Sequence, residues 1–291
     1  MTNAAAPLAI TGSTGRLGGR IARQLAARGI EQRLLVRDPG RAPALPGTTV
    51  AQASYDDADA VRRALLGVDV ALMVSGSETP DRVDQHRTFI DAAADAGVGH
   101  LVYVSFFGAA PDATFTLARD HWATEQHLRD RGIGFTFLRD NLYADFFPLM
   151  VGDDDVLRGP AGDGRVAAVA QDDIADAAVA VLTDPAAHAG RTYDLTGPAA
   201  VSLGEVAATL SMLTGRIISY RPETVEEADA SRAHYGAPDW QVDAWVSTYT
   251  AIADGSMGTV SSAIPDLTGH PATPVDEVVR RVTPGGLSPG G

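Results

Sequence analysis

The chain has 291 residues, no cysteine and a formal net charge of −14, with 23 basic and 37 acidic side chains. Such a negative surface argues against nucleic-acid binding, and the lack of cysteine excludes disulfides, thiolate zinc sites and a cysteine nucleophile. No apolar run is long enough to cross a membrane, and the segment MTNAAAPLAI is too short and uncharged for a signal peptide. These features predict a cytoplasmic protein that binds neither membranes nor nucleic acid.

The first half of the chain alternates between apolar runs and amphipathic helical patterns. Strands are predicted at LAIT (8–11), RLLVR (33–37), TTVAQASY (48–55), DVALMVS (69–75), HLVYVS (100–105) and GFTFLRDNLY (134–143). Helices are predicted over 18–29, 57–68, 84–98 and 118–132. This alternation predicts an α/β fold with a Rossmann-type, doubly wound parallel sheet and helices on both of its faces.

The second half has a looser pattern. The Gly- and Asp-rich segment GDDDVLRGPAGDGRV (152–166) is predicted to be loop, and helices are predicted over 171–185 and 202–215, the latter with a capping box at Ser202 and Glu205. We expect a dinucleotide-binding domain over 1–150, with 165–200 returning to it. A smaller C-terminal α/β lobe for the substrate follows over 201–291, and its tail TPGGLSPGG is predicted to be disordered.

Three glycines, Gly12, Gly15 and Gly18, lie between the first strand and the first helix. Glycines let the backbone approach a pyrophosphate closely, and the following helix offers N–H groups and the positive end of its dipole. A P-loop is the alternative, but this segment has no Gly-Lys-Ser/Thr to contact phosphate and magnesium. The pattern therefore favours a dinucleotide site.

Arg37, at the end of the second strand, bears on the choice between NAD and NADP. NAD enzymes commonly have an acid at this place, whereas this chain has Arg37, with Arg41 and Arg16 close by. A guanidinium group suits a 2′-phosphate. The alternative is that Arg37 only ends a surface strand beside the acid Asp38. We favour NADP, bound as NADPH in preference to NADH.

Several motifs in chain order carry a family resemblance: ITGSTGRLGG (10–19), LLVRDPGRA (34–42), LMVSGSE (72–78), HRTFIDAAADAGVGHLVYVS (86–105), HWATEQHLRDRGIGFTFLRDNLY (121–143) and GRTYDLTGP (190–198). Together they resemble the NmrA-like branch of the atypical short-chain dehydrogenases/reductases. Within that branch the pattern is most similar to type-2 NAD(P)H:quinone oxidoreductases and triphenylmethane reductases. The resemblance extends from about Leu8 to about Val282.

The resemblance implies a set of cofactor contacts. The pyrophosphate is expected at Gly12, Thr14, Gly15, Arg16, Leu17 and Gly18, and the adenosine phosphate at Arg37. Ser54 and Tyr55, after the third strand, are expected at the adenine. Ser75, Gly76 and Ser77, after the fourth strand, are expected beside the nicotinamide ribose. These loops follow the carboxyl ends of strands, where open α/β sheets bind ligands.

The catalytic pair Tyr-x-x-x-Lys of typical short-chain dehydrogenases is absent from this sequence. Its helix reads HWATEQHL, in which Gln126 stands where many relatives have lysine. A quinone needs less assistance, because its reduction is driven by aromatisation and depends largely on positioning. The candidate catalytic residues are Tyr143, Asn141 as a hydrogen-bond donor to a quinone oxygen, and Gln126.

Other side chains near these positions have two interpretations. Phe106 and Phe107 are candidates for the walls of a substrate pocket that also includes Tyr143, or else they are plain core. His86 and His121 are interpreted as hydrogen-bonded polar groups rather than bases. No metal site is predicted, because the pair His121 and Glu125 lacks a third ligand.

The resulting expectation is an NADP-dependent oxidoreductase that transfers hydride from NADPH to a quinone or a similar flat conjugated acceptor. One alternative is a non-catalytic NADP(H)-binding redox-sensing regulator of the NmrA type, which Gln126 favours. Another is a tailoring reductase of an aromatic natural product. The expected partner is a small aromatic or quinone molecule, and the sequence leaves open whether the chain forms a homodimer.

Overall fold

A computed structural model describes the chain from Leu8 to Thr283. Its strands are β1 (Leu8–Thr11), β2 (Gln32–Val36), β3 (Thr48–Gln52), β4 (Val70–Val74), β5 (His100–Phe106), β6 (Gly134–Asp140), β7 (Val156–Gly159), β8 (Arg165–Val166), β9 (Arg191–Leu195), β10 (Val201–Ser202) and β11 (Ser219–Pro222). The predicted disorder of the tail concerns residues 284–291, which lie outside the described residues.

The helices are α1 (Arg16–Ala27), α2 (Ala58–Leu65), α3 (Arg82–Asp95), α4 (Thr116–Arg131), α5 (Gln171–Thr183), α6 (Leu203–Thr214), α7 (Val225–Arg232), α8 (Asp239–Ala253), α9 (Ala263–Thr268) and α10 (Val275–Val282). None of them, in the part of the chain from residue 8 to 283, has the length and hydropathy of a membrane span.

The chain divides into two compact units. The first contains the residues up to Ala109, together with Asp120–Arg139 and Ile174–Tyr193. The second contains Ala110–Arg119, Asp140–Asp173 and the residues from Asp194 onwards. Because compactness alone does not define an independently folding domain, the boundaries at 150 and 201 expected from the sequence stay predictions.

The seven-stranded sheet of the first unit has the order β3-β2-β1-β4-β5-β6-β9. The pairs β2–β3, β1–β2, β1–β4 and β4–β5 are parallel. Strand β1 is buried at all four residues, as expected for a parallel sheet covered on both faces. The doubly wound α/β fold predicted from the sequence is confirmed. Because β1 lies between β2 and β4, the strand order reverses there, and ligands of such sheets bind at the carboxyl ends of these strands.

The helices of this unit follow from their apolar spacing and caps. In α1, Leu17, Ile21 and Leu25 are spaced four residues apart and buried, so one face of the helix packs inward. In α2, the side chain of Asp57 accepts a hydrogen bond from the N–H of Ala60 at 2.9 Å and so fixes the start of the helix. These local features hold the loops at the carboxyl edge of the sheet in place.

The second unit contains two small sheets and corrects one expectation. The segment 152–166 is not entirely loop, because it includes β7, which pairs in parallel with β11, and β8, which pairs antiparallel with β10. Strands of two and four residues are too short to show an alternating pattern, and their partners are distant in sequence, so the sequence does not reveal them. The predicted capping box is confirmed, with Glu205 N–H to Ser202 Oγ at 3.2 Å and Ser202 N–H to Glu205 Oε2 at 2.9 Å.

Candidate functional site

The turn between β1 and α1, here called the glycine cradle (Gly12–Gly18), is tight and largely exposed. Gly12 has a φ of 66°, in the left-handed region where a side chain would be strained. The backbone N–H of Gly15 donates to the carbonyl of Gly12 at 2.9 Å and closes the turn. Thr14, Gly15 and Arg16 are exposed, and Leu17 is buried.

Gly12, Gly15 and Gly18 have different structural roles in the cradle. A Cβ atom at Gly18 would lie 2.4 Å from the carbonyl oxygen of Gly12, so α1 approaches the turn this closely only with glycine there. At Gly15 the nearest atom to an added Cβ would be the same oxygen at 3.3 Å, and the backbone is extended, with a φ of −93°. The fold therefore requires glycine at position 18 more strictly than at position 15.

The N-terminus of α1 begins at this cradle. Among residues 8–283 no side chain caps it, and its first turn has no acidic residue. The first N–H groups of a helix lack intrahelical acceptors, and the dipole adds positive charge there. The cradle and the start of α1 therefore fit a pyrophosphate.

Arg37 directly follows β2, and its side chain is exposed. The neighbouring Asp38 is engaged locally, because its Oδ1 accepts a hydrogen bond from the N–H of Gly40 at 2.9 Å and caps the 3-10 turn Pro39–Arg41. Arg41, in that turn, is exposed as well. The carboxyl end of β2 therefore presents two guanidinium groups, which suit a phosphate better than a ribose hydroxyl.

Ser54 and Tyr55 follow β3, and both are half-buried. The hydroxyl of Tyr55 donates to the carbonyl of Val74 at 2.6 Å and lies 2.6 Å from Oγ1 of Thr11. Thr11 Oγ1 in turn accepts the N–H of Val74 at 2.9 Å. Burial raises the pKa of Tyr55 well above its usual value, so the phenol stays protonated. Tyr55 thus ties the ends of β1 and β4 together.

The loop after β4, here called the β4 exit (Val74–Ser77), includes the residues expected beside the nicotinamide ribose. Ser75 and Gly76 are half-buried, and Ser77 is exposed. The N–H of Gly76 donates to Nε2 of His86 at 2.8 Å, and Nδ1 of His86 lies 2.9 Å from Oγ1 of Thr124. Burial, assisted by the charge of Arg82, lowers the pKa of His86 to about 3. The ring is therefore neutral and serves as a hydrogen-bond acceptor for the loop.

His121, on α4, is a second buried and neutral histidine. Its Nε2 lies 2.9 Å from Nη2 of Arg82, and its Nδ1 lies 2.9 Å from the hydroxyl of Tyr103. Burial is the main reason that the pKa of His121 lies well below its usual value, with Arg82 adding to the effect. As interpreted from the sequence, His86 and His121 are hydrogen-bonded polar groups.

Glu125 forms a buried ion pair where a typical short-chain dehydrogenase would have its catalytic helix. Its carboxylate accepts from Arg139 Nε at 2.8 Å and Nη2 at 2.6 Å, and from the hydroxyl of Ser105 at 2.6 Å. Gln126 is half-buried, and no described residue hydrogen-bonds to its side chain. Glu125 is therefore engaged in structure, whereas the amide of Gln126 remains available.

Phe106 is the last residue of β5, Phe107 follows it, and both are half-buried. The ring of Phe106 lies 6.0 Å from that of His121. Both phenylalanines thus have apolar surface that is not covered by the core of the first unit. Their assignment as pocket walls stays a prediction.

Asn141 and Tyr143 belong to the second unit. Asn141 is fully buried; its Nδ2 donates to the carbonyl of Met257 at 3.0 Å, and its Oδ1 accepts the N–H of Leu142 at 2.8 Å. The hydroxyl of Tyr143, which is half-buried, donates to Oδ2 of Asp140 at 2.6 Å. The amide of Asn141 is thus bonded to the backbone on both sides, while Tyr143 retains exposed surface.

Sequence reasoning missed how Thr11, Tyr55 and His86 hold the β4 exit. No sequence motif identifies such residues, because their hydrogen-bond partners are backbone groups, which every residue has. One signal was present: His86, Phe89 and Ile90 are spaced for one helix face, and all three are buried. A histidine on an apolar face needs hydrogen-bond partners, but the pattern does not say which.

Comparisons with known proteins agree with this geometry. A family model described as NAD(P)H-binding matches residues 12–185. The chain is 36% identical over 285 residues to quinone oxidoreductase 2 of Escherichia coli (strain K12), covering 94% of this chain and 98% of that protein. The structure of the NADPH-dependent quinone oxidoreductase of Escherichia coli complexed with NADPH matches with a TM-score of 0.87 and 34% identity, over 94% of this chain and 99% of that one.

A second enzyme of known structure gives a similar match. The triphenylmethane reductase of Citrobacter sp., complexed with NADP(H), matches with a TM-score of 0.85 and 30% identity. The match covers 95% of this chain and all of the other, 100%. These similarities extend over nearly the whole chain, so they include both compact units.

Proposed function

The chain belongs to the NAD(P)H-binding, NmrA-like family, and from this premise we propose that it is an NADP-dependent oxidoreductase that transfers hydride from NADPH to a quinone or a similar flat conjugated acceptor. The observation that carries the proposal is the carboxyl edge of β1, β2 and β4. There an uncapped helix start, an exposed arginine and a rigid loop follow three neighbouring strands.

Each part of this edge suits one part of the dinucleotide. The glycine cradle would hold the pyrophosphate, and Arg37 would pair with the 2′-phosphate. Ser54 and Tyr55 would lie on the adenine side, and the β4 exit on the nicotinamide side. The bound cofactor supplies a hydride at its nicotinamide. The protein's own contribution is to orient that ring and to exclude competing reactions.

The residues expected near the hydride acceptor favour a conjugated substrate over a simple carbonyl compound. Helix α4 has no Tyr-x-x-x-Lys pair, and the hydroxyl of Ser105 donates a hydrogen bond to the carboxylate of Glu125. A quinone spreads the incoming charge over its ring and two oxygens, so it needs no strong acid beside it. We propose that, in the first unit, Gln126 contacts the acceptor and Phe106 and Phe107 provide flat apolar surface. Tyr143, in the second unit, is proposed separately as a residue that acts on the acceptor.

Asn141 differs from the other residues proposed near the acceptor because its side chain is fully buried. Its side chain has no exposed surface and is bonded to two backbone groups, so donation to a quinone oxygen would require those bonds to be exchanged. We therefore propose that Asn141 shapes the segment after β6, which carries Tyr143, and that it acts on the acceptor only through that segment.

The test is an oxidation assay with NADPH and a panel of quinones and conjugated dyes, followed by absorbance near 340 nm. We expect turnover with at least one quinone, and a smaller rate with NADH. Binding of NADPH without oxidation above the uncatalysed rate for every acceptor would refute the enzyme and favour a redox-sensing regulator. Turnover confined to larger aromatic substrates would instead favour a tailoring reductase.

A further inference from the structure

The β4 exit is held by side chains from three different elements. The N–H of Val74 donates to Oγ1 of Thr11 at the end of β1, and its carbonyl accepts a hydrogen bond from the hydroxyl of Tyr55 after β3. Two residues later, the N–H of Gly76 donates to His86 in α3. Three side-chain hydrogen bonds within the three residues Val74–Gly76 therefore define the backbone conformation of this loop.

The partners of His86 determine which of its nitrogens carries the proton. A backbone N–H can only donate, so Nε2, which faces Gly76 at 2.8 Å, must be the unprotonated acceptor. The proton is then on Nδ1 and is donated to Oγ1 of Thr124 at 2.9 Å. The hydroxyl of Thr124 in turn donates a hydrogen bond to the backbone carbonyl of Asp120 at 2.8 Å. Every polar atom of the imidazole is therefore satisfied only in this tautomer.

The hydrogen-bond partners of His121 determine its tautomer in the same way. Arg82 can only donate, so Nε2 of His121 is an acceptor and its Nδ1 proton points to the hydroxyl of Tyr103. The ring of Tyr103 also packs edge-on against that of His86, with 5.9 Å between the ring centroids, so the two histidines contact the same side chain. The acceptor that faces Gly76 is thus part of a buried network that leaves the ring little freedom to turn.

This bond also fixes a carbonyl group. In a trans peptide the N–H of one residue and the carbonyl of the preceding residue point in opposite directions. Because the N–H of Gly76 points at His86, the carbonyl of Ser75 points away from it. A Cβ at position 76 would lie 3.3 Å from Nε2 of His86, so glycine permits the close approach.

We propose that His86 is a positioning residue, which holds the Ser75–Gly76 peptide so that the Ser75 carbonyl accepts a hydrogen bond from the nicotinamide half of the bound dinucleotide. The inference rests on the proposed function, because it assumes that the β4 exit binds that half. A ribose hydroxyl and a carboxamide N–H are both donors that a carbonyl can accept. Without the acceptor at His86, the N–H of Gly76 would lose its hydrogen-bond partner, and rotation of the peptide would relieve this and turn the carbonyl inward.

Two ligands separate this role from general support of the fold. NADPH contains both halves of the dinucleotide, whereas adenosine 2′,5′-bisphosphate contains only the half expected at Arg37. Calorimetric titration of both ligands is compared for the wild type, His86→Leu and His86→Gln. The matched control is His127→Leu, which removes a histidine of the same unit that bonds to Asp91 at 2.7 Å.

For His86→Leu we expect NADPH binding to weaken by about fivefold or more, with bisphosphate binding unchanged within about twofold. His86→Gln should restore most of the NADPH affinity, because the glutamine oxygen can occupy the place of Nε2. The control His127→Leu should bind both ligands as the wild type does. If His86→Leu fails to fold, Gly76→Ala provides the same test, since its added methyl group presses on Nε2 from the loop side.

Two results would overturn the proposal. Equal weakening of both ligands would show that His86 only supports the fold, and unchanged NADPH affinity in both His86→Leu and Gly76→Ala would show that the peptide orientation does not matter. Failure of the wild type to bind NADPH would refute the proposed function itself. The two failures are therefore distinguishable in one set of titrations.

Discussion

Acidification should unfold this protein partly through His86. The ring has no exposed surface, and burial lowers its pKa to about 3, from a usual value of 6.5. On unfolding it regains the usual value. Between these two values the unfolded chain binds a proton that the folded chain does not, so the free energy of unfolding must fall as the pH falls below 6.5. At neutral pH this contribution to stability is fully present.

The magnitude follows from the two pKa values. Between pH 7.5 and 5.5 the free energy of unfolding should fall by about 1 kcal/mol through His86 alone, and by pH 4.5 by about 3 kcal/mol. The groups facing the ring do not offset this. Tyr55, Tyr103 and Thr124 are uncharged over this range, and Arg82 stays positive and repels the protonated form.

The assay is urea unfolding of the wild type and His86→Gln at pH 7.5, 6.5, 5.5 and 4.5. Carboxylates and His121 titrate in both proteins, so the difference between their slopes against pH isolates His86. Between pH 5.5 and 4.5 the free energy of unfolding of His86→Gln should fall by about 1 kcal/mol less than that of the wild type. Parallel curves for wild type and His86→Gln would refute the neutral, buried ring.

Three further predictions concern binding and turnover. In titrations of both cofactors, Arg37→Ala should weaken the binding of NADPH by about 1–3 kcal/mol and leave the binding of NADH nearly unchanged. Equal losses of affinity for the two cofactors would show that Arg37 does not contact the 2′-phosphate. Gly15→Val should lower affinity for both cofactors with little change in unfolding free energy, whereas Gly18→Ala should destabilise the fold, because its Cβ would lie 2.4 Å from a backbone oxygen. Retained NADPH affinity in Gly15→Val would contradict the cradle. Tyr143→Phe should lower kcat for a quinone about tenfold or more at an unchanged Kd for NADPH, and an unchanged kcat would remove Tyr143 from the catalytic residues.

The sheet and its order of elements could be predicted because their signals are local. Strand β1 is a continuous apolar run, and α1 repeats its buried residues every four positions. The glycines of the cradle and Arg37 are equally visible, since each lies at a strand end that the pattern already marks. Strands β7 and β11 could not be predicted, because four residues on each side pair across some sixty positions of sequence.

The supporting residues of the candidate site were less visible for a related reason. His86 and Tyr55 bond to backbone groups of another strand, and such pairs leave no trace in spacing or composition. Asn141 shows the opposite case. As a polar residue after a strand it suggests a contact with substrate, whereas the structure buries it and bonds its amide to Met257 and Leu142, and the contact with substrate stays a prediction.

The polar groups of α4 and β5 connect these observations to the choice of acceptor. In a carbonyl reductase of this fold type, a tyrosine–lysine pair on the helix supplies a proton to a localised alkoxide. Here the corresponding helix has His121 and Glu125, the first neutral and bonded to Arg82 and Tyr103, the second paired with Arg139. None of these groups holds a proton that it could release to a substrate without breaking a buried bond. Acceptors that spread their charge, as quinones do, are therefore the class that such an arrangement can reduce, and simple ketones should react slowly if at all.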